Sequence, residues 1–143
     1  MVAKPAIRGR WLGLIFVGGS VGTALRAGVA GSFPVVVGEW PWVTFWVNLS
    51  GALLLGVLVE ALAATGPDAG WRRALRLGAG TGLLGGFTTY STFSVEVVEL
   101  ARVGAWPVAV GYGLASVLAG VATACLGMWG VRRTLAGRSG AAR

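Results

Sequence analysis

Four long apolar stretches restrict the possible folds of this chain more than any other feature. They cover about residues 11–30, 41–64, 74–100 and 106–130. Each is close to the roughly 20 residues that an α-helix needs to cross a bilayer. A mean hydropathy of +0.76 with only 12% charged residues is not typical of a soluble globule of this size. The sequence therefore predicts an all-α membrane protein with four transmembrane helices in one domain.

The basic residues gather at the ends of these stretches, which fits membrane flanks and argues against a nucleic-acid partner despite the net charge of +7. An even number of spans places both termini and the middle connection on one side. Only Arg26 and Arg102 lie toward the other side. Because basic loops stay in the cytoplasm, we expect cytoplasmic termini in a multi-pass protein of the inner (plasma) membrane. We predict that residues 131–143 form a basic, flexible tail. The basic residues on the favoured side are Lys4, Arg8, Arg10, Arg72, Arg73, Arg76, Arg132, Arg133, Arg138 and Arg143.

The third stretch contains the segment GTGLLGGFTTYSTFSVE, residues 80–96, in which a glycine pair precedes a run of hydroxyls and aromatic rings. Irregular backbone at membrane depth is tolerated only where protein or a water-filled cavity surrounds it. This pattern favours a broken helix that forms the wall of a polar pathway. An unbroken helix whose hydroxyls bond to its own carbonyls is the alternative.

Polar residues in other spans could face the same pathway. Asn48 is the only asparagine, and Thr44 lies one helical turn before it on the same face. Tyr112 and Ser116 repeat that spacing in the fourth span. A lone asparagine can also simply cross-link helices. Arg26, late in the first span, either snorkels to the interface or places positive charge at a vestibule.

The residues that enzymes and metal sites require are scarce. The chain has no histidine, one cysteine (Cys125, expected to pack) and five acidic residues, so we do not expect an enzyme. Glu96, Glu99 and Arg102 stand at helical spacing near the end of the third span. We expect them mainly to pair with one another and snorkel at the interface.

The predicted lining offers hydroxyls, an amide and aromatic edges without a deep fixed charge. Such groups can replace the water around a small anion, and weak sites allow conduction. Hydroxyls also accept from cations, so the lining alone leaves the sign of the solute open.

Three segments resemble the CrcB/Fluc family of fluoride channels: GGSVGTALR, WVNLSGALLLG and GTGLLGGFTTYSTFSVE. The likeness covers essentially the whole chain. It implies passive, fluoride-selective export through an antiparallel dimer with two pores, which protects cells that accumulate fluoride. It also implies a structural sodium ion at the dimer centre.

The resemblance assigns roles by position. Asn48 matches the pore asparagine, Tyr90 and Phe93 match the aromatic positions whose edges face fluoride, and the carbonyls of Gly85 and Thr88 match the sodium ligands. The remaining pathway positions are Thr44, Ser91, Ser94, Tyr112, Ser116 and Arg26.

Two features depart from the family pattern. Tyr90 stands where the usual residue is Phe, which leaves its effect on conductance open. The basic residues are too unevenly distributed for insertion in both directions, so we predict pairing with an oppositely oriented paralogue. The main alternative function is a small four-helix, proton-coupled multidrug or cation exporter, which would need a membrane-embedded carboxylate.

Overall fold

The computed structural model describes residues 9–33 and 36–141, and it is helical almost throughout. Three helices are long and apolar enough to cross a bilayer, and a fourth is broken. This arrangement confirms the predicted all-α class and the break, while assembly into a dimer stays a prediction. In chain order the elements are α1 (Gly9–Gly31), α2 (Trp42–Thr65), α3 (Gly70–Leu75), a π-helical segment (Arg76–Leu84), α4 (Gly85–Phe87), α5 (Tyr90–Arg102) and α6 (Trp106–Ala141).

The elements from α3 to α5 form the broken helix. Residues 70–87 are its first half and residues 90–102 its second half. It starts earlier and ends later than the predicted span of residues 74–100. The sequence did not indicate the π-helical turns, in which glycines 78, 80 and 82 recur at every second position.

Helix α6 continues well beyond residue 130, where we expected the span to end and a flexible tail to begin. One reason is the pairing of Arg132 with Glu60 on α2, with nitrogen–oxygen distances of 2.8 and 3.0 Å. This pair joins the turn of α6 around residue 132 to α2. Lys4, Arg8, Arg143 and the side chain of Arg138 lie outside the described residues.

Glycine and proline mark the ends of the helices. Pro41 directly precedes α2, where its missing N–H costs no helical hydrogen bond. Gly66 follows α2 with φ 131°, and Gly104 follows α5 with φ 81°. Both lie at positive φ, which glycine adopts without the steric cost of a Cβ.

Helix α1 packs against the first half of the broken helix, and the two run in the same direction. A Cβ on Gly18 would lie 2.9 Å from the Leu83 amide nitrogen, and one on Gly22 would lie 2.8 Å from that of Phe87. Gly86 likewise leaves no room for a side chain against Gly19. Small residues therefore bring these two backbones into direct contact.

Helices α2 and α6 also run parallel, with Gly56 packed on Ala124 and Glu60 paired with Arg132. The second half of the broken helix packs against α2 and α6 at one end of this pair. A cluster of buried side chains forms there: Phe45, Leu49, Leu100, Ala109 and Tyr112. The five residues of the cluster belong to α2, α5 and α6, so α1 contributes none of them.

Candidate functional site

The break in the broken helix lies at Thr88 and Thr89, whose backbones are extended, with φ −74° and ψ 158° and with φ −145° and ψ 121°. Asn48 on α2 bridges Thr89 in both directions. Its Nδ2 donates to the Thr89 carbonyl at 3.0 Å, and its Oδ1 accepts from the Thr89 amide at 2.8 Å. The side-chain amide therefore replaces the helical partners that the extended backbone has lost.

Thr89 also begins the second half of the helix as its N-cap. Its Oγ1 accepts from the Thr92 amide at 3.1 Å and donates to the Thr92 hydroxyl at 2.9 Å. Ser91 Oγ lies 3.3 Å from the same oxygen. The closely spaced hydroxyls thus serve first to start a helix inside the membrane-spanning region.

These two interactions free backbone carbonyls at the break. In a continuous α-helix the Thr89 amide would donate to Gly85 O, and the Thr92 amide would donate to Thr88 O. Here Asn48 takes the first amide and the Thr89 hydroxyl takes the second. Gly85 and Thr88 are therefore the two predicted ligand positions whose carbonyls lose their usual donors.

Arg26 lies at the break as well, but its described contact is with another carbonyl. Its Nε donates to Gly86 O at 3.3 Å, and Thr23 Oγ1 donates to the same oxygen at 3.4 Å. Both side chains belong to α1, so they fix the end of the first half. A role for Arg26 in the pathway stays a prediction.

Glu96 is a member of the site that the sequence reasoning placed elsewhere. Its Oε1 accepts from the Thr44 hydroxyl at 2.6 Å, and its Oε2 accepts from the Tyr112 hydroxyl at 2.7 Å. Tyr112 is completely buried and Thr44 nearly so. The expected interfacial group with Glu99 and Arg102 is therefore wrong for Glu96, because two hydroxyls from other helices satisfy its carboxylate.

A usable signal for Glu96 was present in the sequence. It lies three residues after Phe93, so the two share a helix face. A carboxylate on the face that carries a predicted pathway residue could have been assigned to that pathway.

Three aromatic rings form a row from the break toward this carboxylate. The ring centroids of Tyr90 and Phe93 are 5.9 Å apart, and those of Phe93 and Tyr112 are 5.3 Å apart. Phe93 is half-buried, whereas Tyr90 is 81% exposed on the single chain. The rings can therefore offer their edges to a solute that passes Asn48.

A cavity of about 620 Å³ lies beside the break and brings several of the predicted residues together. Its lining includes Asn48, Thr88, Tyr90, Phe93 and Ser116. Ser116 Oγ is buried and has no hydrogen-bond partner within the described part of the chain. An unpartnered buried hydroxyl at a cavity wall can receive a solute or a water molecule.

A second cavity, of about 300 Å³, lies at the other end of the Glu96 cluster. Thr44, Glu96, Glu99 and Trp40 line it. The carboxylate cluster therefore stands between the two cavities.

Ser94 does not contribute to either lining in the described conformation. Its hydroxyl donates to the carbonyl of Tyr90 at 2.9 Å, one turn earlier on α5. That is the local bonding we considered as the alternative for this segment. A pathway role for Ser94 stays a prediction.

The fold and site define a multi-pass helical membrane protein with a polar, aromatic-lined break at its centre. The family described as "CrcB-like protein, Camphor Resistance (CrcB)" matches residues 13–128, and the chain belongs to this family.

Curated relatives agree over nearly the full length. "Fluoride-specific ion channel FluC 1" of Cutibacterium acnes is 44% identical over 128 residues, which is 90% of each chain. "Fluoride-specific ion channel FluC 2" of Leifsonia xyli subsp. xyli is 45% identical over 123 residues, 81% of this chain and 84% of the relative. A FluC protein of Hyphomonas neptunium is 41% identical over 127 residues, 86% and 96% of the two chains.

Proposed function

We propose that this protein is a fluoride-selective ion channel that exports cytoplasmic fluoride passively and so confers resistance to it. The observation that carries the proposal is the break at Thr89, which Asn48 holds open beside a cavity with aromatic and hydroxyl walls. The names of the relatives support fluoride as the solute.

The lining suits a small anion that must give up its water. Along the cavity Asn48 offers an amide, Ser116 a hydroxyl, and Tyr90 and Phe93 the positive edges of their rings. Arg26, whose described contact is with Gly86 O, is absent from that lining, so the ion meets several weak sites that it can leave. The other residues assigned to the pathway are Thr44, Ser91, Ser94, Tyr112 and Arg26.

A second chain is part of the proposal. The cavity opens on the surface of one chain, and Tyr90 is mostly exposed there. An oppositely oriented second chain would cover this opening and complete two pores. The uneven distribution of basic residues favours a paralogue as that partner, with the termini of this chain in the cytoplasm and the dimer in the inner membrane.

A sodium ion fits the break between two such chains. Backbone carbonyls are hard oxygen ligands of the kind that alkali cations prefer. Gly85 and Thr88 would supply them, since the amides that would bond their carbonyls in a continuous helix are engaged elsewhere. The ion would hold the two broken helices together and take no part in fluoride transfer.

The proposed function is tested by fluoride efflux from liposomes that contain the purified protein. Efflux should be fast and voltage-driven in the wild type. Asn48→Asp removes the donor to Thr89 O, and Phe93→Ile removes a ring edge, so each should lower the rate by on the order of 100-fold with assembly intact. Ser50→Ala on the same helix should leave efflux unchanged, because among the described residues the Ser50 hydroxyl bonds only to Val47 O. Undiminished flux in both pathway variants would reject the assigned pore.

A proton-coupled cation exporter is a second candidate function. Glu96 favours it, because proton exchange needs a carboxylate among the membrane helices. The two functions differ in their driving force. A channel moves fluoride without a proton gradient, whereas an exporter moves an organic cation only with one. Proton-dependent cation uptake without fluoride efflux would favour the exporter.

Orientation is tested with reporter fusions at the C-terminus. We expect reporter activity only on the cytoplasmic side when the chain is expressed in a bacterial inner membrane. Equal signals from both sides would reject the paralogue and favour a homodimer.

A further inference from the structure

One end of the molecule collects most of the described basic side chains. Since α1 runs parallel to the first half of the broken helix and α2 runs parallel to α6, four segments meet there. These are the start of α1, the end of α2, the start of α3 and the last turns of α6. The arginines at this end are Arg10, Arg72, Arg73, Arg76, Arg132 and Arg133.

Half of these arginines pair with carboxylates. Arg73 and Arg76 share Asp68, at 3.4 and 2.8 Å. Arg132 pairs with Glu60 at 2.8 Å. Their charges are therefore largely compensated within the protein.

The other three arginines have no carboxylate partner in residues 9–33 and 36–137, and each lies over a tryptophan ring. The distances from the guanidinium carbon to the ring centroid are 4.2 Å for Arg10 on Trp11, 5.1 Å for Arg72 on Trp71 and 4.5 Å for Arg133 on Trp129. Arg72 also donates to the neutral hydroxyl of Thr65 at 3.0 Å. At this end of the molecule, each described arginine without a carboxylate partner lies over a tryptophan ring.

This combination fits a phosphate at the depth of lipid headgroups. Tryptophan side chains concentrate at the membrane–water interface, and Trp71 and Trp129 are more than half exposed. A guanidinium that contacts an indole through its face can still use its in-plane N–H groups, and these match phosphate oxygens in pairs. Arg10 and Arg133 donate to no acceptor in the described part of the chain, whereas Arg72 donates through Nε and Nη2 to Thr65 and keeps its remaining N–H groups.

We propose that the three arginine–tryptophan pairs at this end form a binding surface for the phosphate groups of anionic phospholipids. We call it the Arg–Trp surface: Arg10 with Trp11, Arg72 with Trp71, and Arg133 with Trp129. We take lipid as the source of the phosphate because tryptophans at the ends of membrane-spanning helices concentrate at headgroup depth. The surface is independent of the fluoride pathway, so its test does not depend on transport.

Native mass spectrometry of the protein in detergent, with phosphatidylglycerol or phosphatidylcholine added, measures the binding directly. The wild type should retain phosphatidylglycerol more strongly than phosphatidylcholine. Arg10→Gln and Arg133→Gln should each weaken phosphatidylglycerol binding roughly fivefold, and the double variant on the order of 30-fold. Arg133→Lys keeps the charge and should retain most of the binding.

Arg102→Gln is the matched control. Arg102 ends α5 at the opposite end of the molecule and has no described carboxylate or tryptophan partner, so its loss should leave lipid binding unchanged. Binding by the double variant that equals the wild type would overturn the proposal. So would an equal loss in Arg102→Gln, or displacement of the lipid by inorganic phosphate at the same concentration.

Discussion

The two halves of the broken helix are held by different kinds of interaction. The first half lies backbone to backbone on α1, through glycines on both sides of the contact. The second half is held by side chains: the buried cluster around Leu100, and directed hydrogen bonds from Asn48 to Thr89 and from Thr44 and Tyr112 to Glu96. Contact between backbones therefore fixes the first half, whereas contacts of apolar and polar side chains fix the second, and the break lies between them.

The membrane explains why the two halves need different partners. Water is not available there to satisfy a freed backbone group, so the protein must supply every partner at the break. Helix α1 supplies donors for Gly86 O, and α2 supplies both a donor and an acceptor for Thr89. A change to the glycine contact should therefore disturb the whole bundle, whereas changes to single hydrogen bonds should have graded effects.

We expect the largest loss of stability from Gly22→Val, at the contact between α1 and the first half of the broken helix. Its Cβ would collide with the Leu83 carbonyl and lie 2.8 Å from the Phe87 amide nitrogen, and both are backbone atoms that cannot turn away. We expect a loss of about 3 kcal/mol or more in the free energy of unfolding, measured by denaturant titration in detergent.

Gly28→Ala is the control on the same helix, because no described atom outside the adjacent turns of α1 lies within 4 Å of a Cβ at Gly28. It should be neutral or slightly stabilising. A Gly22→Val variant that is as stable as Gly28→Ala would show that α1 does not pack on the first half.

The second effect concerns the Glu96 cluster. Glu96→Ala leaves the buried hydroxyls of Tyr112 and Thr44 without their acceptor, so we expect a loss of about 2–3 kcal/mol in stability. A double-mutant cycle with Tyr112→Phe should give a coupling energy of about 1.5–3 kcal/mol.

Glu99→Ala is the control, since Glu99 is exposed one turn further along α5 and no described residue bonds to its carboxylate. It should change stability by less than about 0.5 kcal/mol. Additive losses in the Glu96 and Tyr112 variants would contradict the hydrogen bond between them.

The third effect concerns the N-cap of the second half. Thr89→Ala removes the acceptor for the Thr92 amide, and the loss of such a cap costs about 1 kcal/mol. Thr89→Ser should restore most of the stability because it keeps the oxygen. Ser91→Ala should have little effect, because the Ser91 hydroxyl is exposed and lies 3.3 Å from its neighbour.

A break of the third helix within residues 80–96 could be predicted from the sequence, but the partners of the break could not. The pair Gly85–Gly86 and the hydroxyls after it indicated a loosened helix, and Asn48 was the one amide at membrane depth. A lone asparagine does not reveal the register between two helices, however. The specific bridge to Thr89, 41 residues away, required the packing of α2 on the broken helix.

Glu96 shows a different limit of sequence reasoning. Its position near the end of the third apolar stretch favoured the interface, because a carboxylate usually snorkels to water there. The hydroxyls that satisfy it come from residues 52 positions earlier and 16 positions later. Neither contact follows from spacing within one helix. Local patterns therefore predicted the elements, whereas contacts between helices determined the site.

The smallest effect is expected where the first half begins, at Asp68. The hydrogen bond from Arg76 lowers the pKa of Asp68 below its ordinary value, with a further contribution from the charge of Arg73. Because the pKa is lowered in the folded protein, the stabilisation is present above the ordinary pKa and is lost as the pH falls through the lowered value.

Asp68 and Arg76 are both nearly half-exposed, so solvent screens their interaction and the gain in stability is small. Asp68→Asn should therefore lower the melting temperature at neutral pH by less than Gly22→Val, Glu96→Ala or Thr89→Ala. It should also flatten the fall in melting temperature below about pH 4, relative to wild type and to Glu99→Gln. If the melting temperature of Asp68→Asn falls with pH as steeply as that of wild type, the ion pair of Asp68 with Arg76 does not stabilise the start of the first half.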